Sequence, residues 1–63
     1  MYRVRFSKEL LGVPFLIAAV DVRSARSPER ALRAGELKFM RQYGLDNWRT
    51  RADLAEVDQV HQF

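Results

Sequence analysis

The run from Leu10 to Val20, LLGVPFLIAAV, carries no charge over eleven residues of a chain of only 63, and any fold must dispose of it. Eleven residues fall short of the roughly 20 that a membrane-crossing helix needs, and Pro14 interrupts the run. Arg3, Arg5 and Lys8 ahead of it imitate the start of a secretion signal. Against that reading, Tyr2-Arg3-Val4-Arg5-Phe6 alternates apolar and charged residues as a strand does, and removing the run would leave about 40 residues with too little core to fold. The run therefore reads as a buried strand of a cytoplasmic chain that has no membrane partner.

Length allows one small domain over residues 1–63. Hydrophobic residues at 48% and charged residues at 30%, with 3 Gly and 2 Pro, are a globular balance and argue against a disordered tail. With 0 Cys and 1 His there is no disulfide framework, thiolate zinc site or iron-sulfur site to expect, and no cofactor. A small chain free of cysteine also suits a reducing compartment. Residues 1–51 hold all 11 Lys and Arg against five acids, while residues 52–63 hold Asp53, Glu56 and Asp58 and no base. The net charge of +3 and a pI near 10.0 raise nucleic acid as a partner.

Along the chain, Tyr2, Val4 and Phe6 fall on one face of a first strand and Arg3, Arg5 and Ser7 on the other. Residues 8–14 form the turn. Phe15 to Arg23 form a second strand, with Leu16, Ala18, Val20 and Val22 on one face and Phe15, Ile17, Ala19, Asp21 and Arg23 on the other. A helix is predicted from about Pro28 to Tyr43: Ser27 can cap it, Pro28 fits its first position, Glu29 suits the dipole and Gly44 stops it. At 100° per residue Ala31, Leu32, Gly35, Phe39 and Tyr43 make its core stripe, and Gly35 there implies a close approach to the sheet. The segment from about Arg51 to Asp58 fits either a third strand or, through Thr50-Arg51-Ala52-Asp53, a capped helix. The strand is preferred because two strands make a marginal sheet. The expected fold is α+β, a two-layer ββαβ domain with an antiparallel sheet in order 2-1-3 and Leu16, Val20, Leu32 and Phe39 in its core.

Two sets of residues stand out as candidate sites. Arg30, Arg33 and Arg41, flanked by Lys38, form a basic helix face that could follow a phosphate backbone. No aromatics interleave them, and Glu29, four residues before Arg33, is placed for an ordinary helix ion pair. The second set, a candidate interface, is Phe15, Ile17 and Ala19 together with Trp48: if the helix covers Leu16 and Ala18, the three strand residues have no evident cover on what would be an edge strand. They would serve a homodimer or another protein partner, unless Trp48 and the C-terminal segment fold over them. Catalysis has little footing, since Ser7, Ser24, Ser27 and Thr50 have no His nearby and the three C-terminal acids lack the turn glycine of a calcium loop. The expectation is a small non-catalytic interaction module, with a nucleic-acid-binding accessory protein as the alternative.

Tyr2-Arg3-Val4 near the start, Val20-Asp21-Val22 leading into Ala25-Arg26-Ser27-Pro28-Glu29-Arg30-Ala31, and Glu56-Val57 at the end resemble the layout of several small ββαβ families. These include a large-subunit ribosomal protein of archaea and eukaryotes that binds ribosomal RNA, and small bacterial domains. In that ribosomal family the connection after the helix is dense in Lys and Arg, whereas here it reads Leu45-Asp46-Asn47-Trp48. The resemblance implies the strand-strand-helix-strand order.

Overall fold

A computed structural model describes residues 1–61. Strands β1 (Tyr2–Leu10) and β2 (Val13–Val22) form a hairpin, helix α1 (Pro28–Tyr43) follows, and a short 3-10 turn at Trp48–Thr50 leads into β3 (Leu54–Gln59). The sheet is antiparallel in order β2-β1-β3, so the architecture is the ββαβ arrangement that the sequence pattern implies. β3 begins later than Arg51 because the chain first completes the 3-10 turn, in which the Asn47 side chain accepts from the Arg49 amide at 3.0 Å.

The helix is built as its cap residues dictate. Ser27 Oγ accepts from the Arg30 amide at 3.2 Å, Pro28 occupies the first turn, and Gly44 at φ 65° ends the helix in the left-handed region. Leu45 then donates its amide to the Met40 carbonyl at 2.8 Å and packs against the core. Gly35 sits where α1 crosses β1: a Cβ at this position would lie 2.8 Å from Val4 Cβ, closer than any side chain tolerates. The core is Val4, Phe6, Val20, Val22, Ala31, Phe39 and Ala52, with Leu32, Tyr43 and Trp48 among its partly buried lining. Phe6 and Phe39 stack with centroids 4.0 Å apart, Trp48 meets Phe6 edge-on at 5.9 Å, and Tyr43 meets Phe39 edge-on at 5.0 Å.

The hairpin departs from the expected turn. Its strands continue to Leu10 and resume at Val13, leaving a two-residue turn of Leu11 at φ 53° and Gly12 at φ 79°. Two positive φ values are what the tightest hairpin turn requires. Gly12 adopts one freely, whereas a left-handed Leu11 costs roughly 1–2 kcal/mol.

The register also jumps between Phe6 and Ser7. Phe6 pairs with Ala18 but Ser7 pairs with Leu16, so the ladder passes over Ile17. Because side chains alternate, one extra residue exchanges the two faces of everything beyond it. Leu16 thus joins Ser7 on the sheet face away from α1 and is 61% exposed, which corrects its expected place in the core. Phe15, paired with Lys8, turns to the helix side instead, yet lies beyond the reach of the helix and is 51% exposed. β3 pairs with β1 only from Tyr2 to Ser7. From Lys8 to Leu16 the hairpin is a two-stranded ribbon.

Candidate functional site

The main-chain hydrogen bonds reveal which groups of β2 are free. Met1 accepts from Val60 at 2.8 Å and Ser7 accepts from Asp53 at 2.8 Å, both on the β3 side. Odd-numbered residues of β1 therefore direct their main chain toward β3 and even-numbered ones toward β2. Through the register, Val22, Val20, Ala18, Phe15 and Val13 of β2 turn theirs inward to β1. Asp21, Ala19, Leu16 and Pro14 turn theirs outward, to an edge that no strand pairs with among the described residues.

Both ends of this edge are modified. Pro14 has no N–H to offer, the usual tolerance of proline on an edge strand. At the other end Lys38 Nζ of α1 reaches over and donates to the Asp21 carbonyl at 3.0 Å. Between them lies Phe-Leu-Ile-Ala-Ala, residues 15–19, uncharged and exposed at every position but the half-buried Ala18. Beside the edge, an open hollow of about 480 Å³ is lined by Ala19, Val20 and Asp21 from β2 and by Lys38, Arg41 and Gln42 from α1.

The face of the sheet away from α1 is a neutralised surface. Arg3 Nε bonds Asp21 Oδ1 at 2.8 Å, and Arg5 reaches Asp58 Oδ2 at 2.6 Å and Glu56 Oε2 at 3.5 Å. The hydrogen bond from Arg3 holds the Asp21 carboxyl below its ordinary range, assisted by the charges of Arg3, Arg23 and Lys38 and opposed by partial desolvation. Asp53 spends its carboxylate on the Glu9 amide at 2.8 Å. No group of three potential metal ligands occurs among the described residues.

The basic helix face divides. Arg33 pairs with Glu36 at 3.6 Å rather than with Glu29, and Lys38 is engaged by the Asp21 carbonyl, while Arg30 and Arg41 have no carboxylate within ion-pair distance among the described residues. Of the apolar set, Phe15, Ile17 and Ala19 all lie exposed on β2. Trp48 does not cover them: it is half-buried against Phe6, in the turn that leads into β3. Sequence reasoning missed Leu16, whose exposure depends on the register jump, and missed Asp21 as the far end of the open edge, whereas the N–H that Pro14 lacks marks the near end in the sequence itself.

No family model, curated protein or solved structure matches this chain. No helix among the described residues is long and apolar enough to cross a membrane.

Proposed function

We propose that this protein is a small non-catalytic interaction module, working in a reducing compartment, whose binding element is the outer half of the hairpin together with the open β2 edge. One observation carries the reading: residues 15–19 join an uncharged, exposed set of side chains to outward-directed main-chain donors and acceptors at Leu16 and Ala19. Exposed apolar edges invite strand addition, which evolution usually suppresses with charge. Here charge is absent from the centre of the edge. On the sheet face away from α1 the carboxylates of Asp21, Glu56 and Asp58 are held by Arg3 and Arg5, which supports a binding role over a catalytic one there.

Site-directed photo-crosslinking in cells tests this reading. A photoreactive residue at Leu16 should yield discrete adducts, to this chain or to another, while one at Glu29 in the first turn of α1 should yield none. Equal labelling from both positions, or none from Leu16, would contradict the proposal. A second reading, nucleic-acid binding, is favoured on the basic helix face by Arg30 and Arg41, which have no carboxylate partner among the described residues. Absence of DNA or RNA binding at low salt would remove it. Were binding found, replacing Arg30, Arg33 and Arg41 together should weaken it alike for unrelated sequences and flatten its salt dependence.

A further inference from the structure

Resting on the interaction-module reading, we infer that the partner of the β2 edge is a second copy of this chain, joined antiparallel across a two-fold axis with Leu16 opposite Ala19 of that copy. The argument is the inventory of the edge itself. Outward-directed groups can pair only with outward-directed groups, and the outward residues are Pro14, Leu16, Ala19 and Asp21. Leu16 against Ala19 satisfies that condition and brings Pro14 opposite Asp21. A register shifted by one, centred on Ile17, sets Leu16 against the inward-directed Ala18 and fails it.

Within the favoured register all four outward residues are accounted for. Leu16 and Ala19 exchange both of their main-chain bonds, and the Asp21 N–H donates to the Pro14 carbonyl of the second copy. The reverse bond would need an N–H that Pro14 does not have, and an Asp21 carbonyl that already accepts from Lys38 at 3.0 Å. The two defects of the edge thus fall opposite each other. Side chains agree: Leu16 meets the small Ala19, and Asp21, the single charged residue of β2, meets Pro14 rather than a like charge. Phe15, on the helix side, comes opposite Val20 of the second copy. There it enters the 480 Å³ hollow, where the Lys38 and Arg41 cations can lie against its ring. Each copy supplies one Phe15 and one hollow, which is the reciprocity that a closed two-fold interface demands.

Two measurements on the full chain decide the matter. Sedimentation should show a monomer giving way to a dimer and nothing larger as concentration rises, with Phe15→Ala weakening the dimer about tenfold or more. The chain has 0 Cys, so single cysteines report register without interference. When Leu16→Cys and Ala19→Cys chains are mixed in a glutathione redox buffer, the mixed disulfide should form well above its random share, since directly paired Cα atoms about 5.5 Å apart lie within disulfide range. A monomer persisting to on the order of 500 µM, or disulfides in random proportion, would overturn the inference. If the monomer persists while crosslinking from Leu16 captures a different protein, only the identity of the partner falls. If Leu16 captures nothing, the interaction-module reading falls with it.

Discussion

The two halves of the β1–β2 hairpin are made of similar residues and meet opposite fates. In the inner half, Tyr2, Val4 and Phe6 alternate with charged residues and pair with Val22, Val20 and Ala18 beneath α1, where Val4, Phe6, Val20 and Val22 are all buried. In the outer half, Leu10, Leu11, Val13, Phe15, Leu16 and Ile17 are at least as apolar, and all are exposed. Composition does not separate them. What separates them is cover: α1 and β3 lie over and beside the inner half, while β3 stops at Ser7 and the ribbon beyond it has no third strand. Hydrophobicity that serves the fold is recognised by what lies against it, and the outer half holds apolar surface for which folding alone has no use.

That contrast predicts a steep gradient of mutational effects. The largest belongs to the inner half: Phe39→Ala, which removes the ring stacked on Phe6, should cost about 3–5 kcal/mol, comparable to the whole stability of so small a domain. Thermal or urea unfolding checks this, and a variant melting within a few degrees of the parent would show that the stack is not the centre of the core. At the hairpin tip the sign reverses. Leu11→Asn should stabilise by about 1 kcal/mol, because Asn tolerates the left-handed backbone and a fully exposed Leu11 loses no contact. A melting temperature that falls would mean Leu11 has an intramolecular use.

Smaller still is Leu16→Lys, which should change the stability of the dilute monomer by no more than about 0.5 kcal/mol, as for surface positions generally. A loss comparable to that of Phe39→Ala would erase the distinction between the halves. The weakest effect is electrostatic. The Asp21 carboxyl is held below its ordinary value near 3.8 in the folded chain, so its contribution is present above that value and disappears as pH falls through the lowered folded one. Wild type should therefore lose slightly more stability on acidification than Asp21→Asn does, by an amount that shrinks in high salt because the pair is exposed. Parallel acid titrations of the two check this, and curves that superimpose would show that the Arg3–Asp21 pair adds nothing to stability.

Much of this was legible before the structure. Alternation at Tyr2–Phe6 specified the first strand and its buried face, Ser27-Pro28 marked the helix start, and Gly35 on the apolar stripe announced its close approach to Val4. The faces of β2 were not legible. A register slip is visible in sequence when it moves a polar residue to the wrong side, and Phe-Leu-Ile-Ala-Ala contains none, so the jump over Ile17 left no mark. Phe15 and Ile17 are uncovered, as the pattern predicts, but the faces it predicts for Phe15 and Leu16 are both exchanged. The turn is shorter than the pattern predicts: its first residue is Leu, which the sequence preferences of tight hairpins disfavour. Lys38 capping the Asp21 carbonyl joins residues 17 apart in sequence through tertiary packing, and local patterns do not report such bonds.

Hydrogen exchange of individual β2 amides, measured as a function of protein concentration, tests the central claim most directly. In dilute solution the amides of Ala18, Val20 and Val22, directed to β1, should be protected, and those of Leu16, Ala19 and Asp21, directed to the open edge, should exchange freely. Raising the concentration should slow exchange at Leu16, Ala19 and Asp21 together while leaving the inward set little changed. Exchange at those three amides that stays fast and independent of concentration would contradict pairing of the edge with a second copy. Protection of all six in dilute solution would show that the edge is already covered within one chain.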